Sequence, residues 1–257
     1  MKDLSHLAYA KLNINYNKEL FVEEYDKYIL PDSVPIVSGR GAWASTREIN
    51  KHWGMVPEDI YDLSDYQEKD GSIVKRGYPT WQGTSLVFVD SQDDVIRKTS
   101  YHGSVGVRNT YKDQQKYSFK EKFSNLEIVK FIKSLPIKDI IGVRCVSLPA
   151  GTYATIHRDA NGMPGKLHLS SIMYNHLWKD GFISITLNLT NGGQPLFYSV
   201  DSNENQPLLA DDPCYMFNDY FWHGVPVVDS RRRQIRITAK PDEGFYDLID
   251  ANSAVNH

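Results

Sequence analysis

The stretch CYMFNDYFWHGVPVVDSRRRQIRITA, residues 214–239, decides the fold. It contains three runs suited to short strands, 214–218, 223–228 and 232–239, with the turn-former Asp229-Ser230 before the last. In that last run Arg232, Gln234, Arg236 and Thr238 alternate with Ile235 and Ile237, the two-residue period of a strand. If the isoleucines pack outward under a helix, the other set faces inward.

Working upstream, the same period marks five further strands at 140–148, 152–159, 167–174, 182–189 and 195–200. Turn-formers punctuate them: Asn161-Gly162, Asn191-Gly192-Gly193 and Asp211-Asp212-Pro213. Eight short strands with no helical run between them point to an antiparallel barrel or jelly roll, a mainly β (α+β) chain with flanking helices. Just before them, Ser124 and Glu127 have capping-box spacing, and Leu126, Val129, Ile132 and Leu135 recur at helical intervals until Pro136. This helix is expected to cover one outer face. The region before it reads less regularly, with a short helix over 19–29 ended by Pro31 and a strand over 84–89. The expected organisation is one domain: a flanking region 1–120 that could supply a substrate lid, a β core 121–241 and a tail 242–257.

Composition sets the outer limits. The 257 residues, 41% hydrophobic and 24% charged, suffice for a sizeable core. A net charge of -3 argues against a general nucleic-acid binder, which carries a basic excess. The two cysteines, Cys145 and Cys214, provide no disulfide framework and read as reduced and buried. No segment has the apolar core of a leader or the length of a membrane span, so the expected location is cytoplasmic, with no membrane partner.

The chemistry lies in three side chains. His157 and Asp159 stand two apart on an expected strand, so both can point to one face while Arg158 points to the other. His223 begins a later strand. Two imidazoles and a carboxylate form a facial triad, which leaves coordination positions open and suits Fe(II) that must also bind a co-substrate and O2. An H-x-D tripeptide alone is weak evidence. The arginines after His223, namely Arg231, Arg232, Arg233 and Arg236, strengthen it, because the distal carboxylate of 2-oxoglutarate needs a cationic, preferably two-pronged partner. The plainer alternative for them is a solvated basic edge strand or a phosphate patch.

Residues 144–241 resemble the aspartyl/asparaginyl β-hydroxylase family of 2-oxoglutarate/Fe(II) oxygenases. Gly151-Thr152 followed by His157 resembles the approach to that family's first metal histidine. Lys166-Leu167-His168 is similar to its R-x-H element, with His168 eleven residues past the metal histidine. The ungapped run Met216-Phe217-Asn218-Asp219-Tyr220-Phe221-Trp222-His223 resembles its approach to the second. The resemblance implies a double-stranded β-helix (jelly roll, cupin-like), with Fe(II), 2-oxoglutarate and O2 as cofactor and co-substrates and ascorbate as a supportive reductant. It implies that Arg233, ten residues after His223, holds the distal carboxylate, and that His168, with Lys166, contacts the one nearer the metal. Lys166 departs from the family's arginine and loses its fork. Asp159 is present where the animal members lack a carboxylate. Arg236-Ile237-Thr238 resembles the R-x-S pair of other oxygenase families, which makes Arg236 the rival of Arg233. Trp222 and Tyr174 are cavity-lining or core aromatics. The expected reaction is hydroxylation of a C–H bond in an amino acid, a peptidyl residue or another small polar substrate. The alternatives are a nucleic-acid-modifying oxygenase and a non-catalytic cupin-like binding module.

Overall fold

The computed structural model describes residues 4, 7–37, 80–89, 117–151, 154–157, 181–190, 196–199, 208–218, 222–226 and 228–256. Its strands in chain order are β1 (Leu7–Lys11), β2 (Val34–Val37), β3 (Thr80–Ser85), β4 (Val87–Val89), β5 (Tyr117–Phe119), β6 (Ile137–Leu148) and β7 (Ala154–His157). They continue as β8 (Ile183–Asn188), β9 (Leu196–Ser199), β10 (Leu208–Ala210), β11 (Cys214–Phe217), β12 (Trp222–Val225), β13 (Arg232–Pro241) and β14 (Val255–Asn256). The helices are α1 (Lys18–Glu24) and α2 (Glu127–Ser134). None of the described helices is long and apolar enough to cross a membrane.

The large sheet runs β14-β1-β11-β8-β13-β6-β3-β2 and is antiparallel throughout. The small sheet runs β10-β9-β12-β7, also antiparallel. From β6 onward the chain passes back and forth: β6, β8, β11 and β13 lie in the large sheet, β7, β9, β10 and β12 in the small one. Gly151, with φ +78°, turns the chain after β6 in a left-handed conformation that a side chain would strain. The antiparallel, mainly β character expected from the two-residue period is present.

The large sheet is buried on both faces, and the faces differ in kind. One is apolar: Val143 and Cys145 of β6, Ile183, Ile185 and Leu187 of β8, Met216 of β11 and Ile235, Ile237 and Ala239 of β13 pack with Phe21, Ile128, Val129 and Ile132 from the helices. Each fully buried aliphatic or aromatic side chain here contributes about 1.5–3 kcal/mol. Phe21, Tyr16 and Phe131 form an aromatic group between α1 and α2, with ring centroids 5.3 to 5.8 Å apart. The Tyr16 hydroxyl ties that group to the sheet through the carbonyls of Asn188 and Pro213 at 2.9 and 2.8 Å.

Several local expectations are corrected. Ser124 and Glu127 form no capping box: α2 begins after Leu126, and the Ser124 hydroxyl turns back to the Glu121 carbonyl at 2.7 Å. A distant residue caps the helix instead. The Glu24 carboxylate accepts the N–H groups of Glu127 and Ile128 at 2.8 and 3.0 Å. The helix expected over 19–29 starts as α1, with the Asn17 side chain capping Leu20 N–H at 3.1 Å, then widens into a π turn, Tyr25–Ile29. Pro31 does not stop it but sits in a 3-10 turn, Leu30–Asp32. The strand over 84–89 is divided at Leu86, which is fully buried, so β3 pairs with β6 while β4 pairs with β5. The strand expected over 167–174 lies outside the described residues. Short strands that the pattern did not reveal, β1, β10 and β14, extend the sheets, and both cysteines are free and buried.

Candidate active site

The small sheet brings two of the expected metal ligands together. In the β12–β7 ladder His223 stands directly opposite His157. Directly opposed residues of an antiparallel pair belong to one face of the sheet. His223 is 4% exposed, and its ring meets Phe217 of β11 edge-on at 5.2 Å and 66°. That contact joins the two sheets at the site and fixes the plane of the imidazole. For His157 the structure describes the backbone alone. Asp159, Lys166, His168 and Tyr174 lie outside the described residues, as does the side chain of Trp222. Among the described residues no three His, Cys, Asp or Glu side chains could together hold a metal ion. Two histidines at opposed register positions are ligand types that first-row divalent ions accept.

The second face of the large sheet is polar yet buried. On β13 it carries Arg232, Gln234 and Arg236, at 1%, 6% and 8% exposure. Across the ladders stand Asn188 opposite Gln234, Thr186 opposite Arg236, and Arg144 opposite Arg236 on the other side. Tyr215 of β11 lies opposite Thr186 and is wholly buried. Its hydroxyl accepts a hydrogen bond from Gln234 Nε2 at 2.9 Å and another from Arg232. That leaves its own hydrogen to donate. Among the described residues, Arg232 Nε and Nη2 and the hydroxyls of Thr186 and Ser184 are buried without a hydrogen-bond partner. Orphaned buried donors of this kind are rare, and they call for a ligand or ordered water.

The electrostatics agree. Burial pulls the Arg232 guanidinium below its ordinary pKa, against the weaker opposing pull of Tyr215 and of the exposed Asp211, and no described Asp or Glu is buried. Burial raises the Tyr215 phenol, so it stays protonated and able to donate. Arg232 and Tyr215 together present two N–H groups and one O–H, the donor set that a carboxylate accepts best.

The other arginines divide by face. Arg233 points to the helix side, where Nε and Nη2 grip both oxygens of Asp26 at 2.7 and 2.8 Å, and Nη1 donates to the Arg231 carbonyl at 3.1 Å. All three of its nitrogens are engaged. Arg231 donates to the Ser147 hydroxyl at 3.1 Å. Arg236 lies over the Phe217 ring, 4.8 Å from its centroid. The buried trio of Arg232, Tyr215 and Gln234 was the least legible part of the site. The alternation of β13 signals its two polar members on that strand, but nothing in the sequence announces that Tyr215 stands within reach.

No protein-family profile and no curated protein matches the chain by sequence. Many solved structures are similar to it, three of them over most of its length as follows. The non-haem α-ketoglutarate-dependent epimerase SnoN of nogalamycin biosynthesis is 9% identical, with 99% of this chain and 90% of that chain covered and a TM-score of 0.40. A prolyl hydroxylase from Trichoplax adhaerens, in complex with a hypoxia-inducible-factor peptide, is 15% identical over 90% and 91%, with a TM-score of 0.32. HygX from Streptomyces hygroscopicus, with nickel, 2-oxoglutarate and hygromycin B bound, is 11% identical over 94% and 97%, with a TM-score of 0.30. At TM-scores this low, these likenesses do not bear on the site or its chemistry.

Proposed function

We propose that this chain is an Fe(II)- and 2-oxoglutarate-dependent oxygenase built on a double-stranded β-helix, with His157, Asp159 and His223 as the metal ligands. The observation that carries the reading is the β12–β7 register, which sets His223 opposite His157. The alternation of β6 to β13 between two antiparallel sheets supports the fold assignment. The motif run ending at His223 supports placement near the aspartyl/asparaginyl β-hydroxylases.

When bound, the iron supplies redox chemistry that couples decarboxylation of 2-oxoglutarate, to succinate and CO2, with oxidation of a substrate C–H bond by O2. The residues supply orientation. Phe217 holds the His223 ring, and the buried site keeps water away from the reacting centre. Arg232, steadied through the Tyr215 hydroxyl that also accepts from Gln234, takes the distal carboxylate of 2-oxoglutarate in a charge-assisted pair. This role goes to Arg232 and not to Arg233, because Asp26 already occupies the Arg233 fork on the opposite face. His168 and Lys166 remain the candidates for the carboxylate nearer the metal. The substrate is an amino acid, a peptidyl residue or a similar small molecule.

The test is succinate formation from 2-oxoglutarate by the full chain with Fe(II), ascorbate and O2. We expect iron-dependent turnover that His157→Ala reduces at least a hundredfold. Turnover that persists in that variant removes His157 from the site, and no iron-dependent turnover in the parent chain removes the oxygenase reading.

A further inference from the structure

The buried polar face carries a row of rings that ends at the expected metal histidine. Tyr9 of β1 stands directly opposite Phe217 of β11, and Tyr215 comes two residues before Phe217, so the three side chains lie on one face. Ring centroids are 5.5 Å apart from Tyr9 to Tyr215, 6.0 Å from Tyr215 to Phe217 and 5.2 Å from Phe217 to His223. All four residues are buried. Rings in such contact are ordinary core material, but two features make this row more than packing. The first is its outer end. The Tyr9 hydroxyl donates to the Asp212 carboxylate, which is 30% exposed with Lys11 Nζ 3.6 Å away. A phenol gives up an electron readily only when its proton has an acceptor within hydrogen-bond reach, and Asp212 is such an acceptor at the edge of solvent. The second is the contrast along the row. The Tyr215 hydroxyl receives hydrogen bonds from Gln234 and Arg232, and no described carboxylate accepts its hydrogen. Phe217 has no proton to give and carries the Arg236 guanidinium 4.8 Å from its centroid, and a cation over a ring makes an electron harder to remove. An oxidising equivalent that enters at His223 therefore passes Phe217 and Tyr215 and comes to rest on Tyr9.

We propose that Tyr9 is the terminus of an oxidation relay that drains the metal site when O2 is activated with no substrate in place. The step balances: the oxidised metal centre gains one electron, Tyr9 loses it, and the phenol proton moves to Asp212, leaving a neutral tyrosyl radical and a carboxylic acid. A small one-electron donor in solution, ascorbate or a thiol, then returns the electron, and the proton goes back from Asp212 to Tyr9. The relay spares the metal ligands the oxidation that would otherwise fall on them. It rests on the oxygenase reading for the oxidant alone; the row of rings is a property of the fold.

Rapid-freeze electron paramagnetic resonance of the full chain with Fe(II), 2-oxoglutarate and O2, without substrate or ascorbate, tests it. Chain grown on ring-deuterated tyrosine, which narrows a tyrosyl signal, identifies the radical. The parent chain should form one. Tyr9→Phe, which keeps the ring, and Asp212→Asn, which removes the proton acceptor, should each lower its yield about tenfold or more. Both variants should form succinate at the parent's initial rate and lose activity sooner during substrate-free turnover. Should Tyr9→Phe not fold, Asp212→Asn decides. A parent chain that forms succinate and no tyrosyl radical overturns the proposal, and so does a signal undiminished in either variant. If the parent forms no succinate, the oxygenase reading fails. Hydrogen peroxide added to the Fe(II)-loaded chain, with the metal-free chain as background, then judges the relay through the same variants, and no tyrosyl signal above that background overturns it.

Discussion

Burying a guanidinium without a carboxylate beside it costs a fold several kcal/mol, and a chain selected for stability alone would place an apolar residue there. Arg232 comes near this case, met by the Tyr215 phenol and, from the exposed edge, by Asp211, with no described Asp or Glu buried. The proposed ligand-binding role would account for this arrangement. Arg232→Met should therefore leave the ligand-free chain as stable as before, or raise its stability by about 1 kcal/mol, while abolishing stabilisation by 2-oxoglutarate. Arg233→Gln should behave oppositely, lowering stability by about 1 kcal/mol through loss of the Asp26 pair and sparing the ligand response. Chemical denaturation of the two variants, with and without 2-oxoglutarate, measures both. A drop of more than about 2 kcal/mol in Arg232→Met would mark that guanidinium as structural.

At the scale of elements, contacts between residues distant in sequence join α1 to the start of α2 and the π turn after α1 to the sheet. Glu24 caps α2 across the gap between the helices, and Asp26 reaches β13. Glu24→Ala should cost about 1–2 kcal/mol, because two backbone N–H groups lose a charged acceptor, whereas Ser124→Ala should be nearly neutral. Urea midpoints compare the two, and equal losses would favour the local capping box. This contrast shows where sequence reading stops. The period of β13 is legible because Ile235 and Ile237 need an apolar face and Arg232, Gln234 and Arg236 do not. The cap is illegible because the Ser-x-x-Glu spacing fits a local partner equally well, and only tertiary packing brings Glu24 to the helix start. The choice of arginine meets the same limit. Spacing along the chain favours Arg233, but strand alternation sends it to the face where Asp26 waits.

At the scale of the whole molecule, the apolar core and the buried polar face share one sheet, so both depend on its burial. Cys145 and Cys214 sit on the apolar face, and burial raises both thiols, Cys214 to about 12. An unfolded thiol ionises near about 8.5. The folded chain therefore holds protons that the unfolded chain releases. This contribution to stability is fully present below about pH 8.5 and is lost as pH rises towards 12. The urea midpoint should fall between about pH 8 and about pH 10, and native thiols should resist alkylation until the chain unfolds. A flat profile with rapidly alkylated thiols would place the cysteines nearer the surface. The central claim joins His223 of the small sheet to the polar face of the large one, and its most direct measurement is anaerobic addition of 2-oxoglutarate to the Fe(II)-loaded chain, followed by visible absorption. The parent chain should develop a charge-transfer band that saturates with 2-oxoglutarate, and His223→Ala should not. No band in the parent chain, or an equal band in His223→Ala, would contradict the assignment of this site to iron and 2-oxoglutarate.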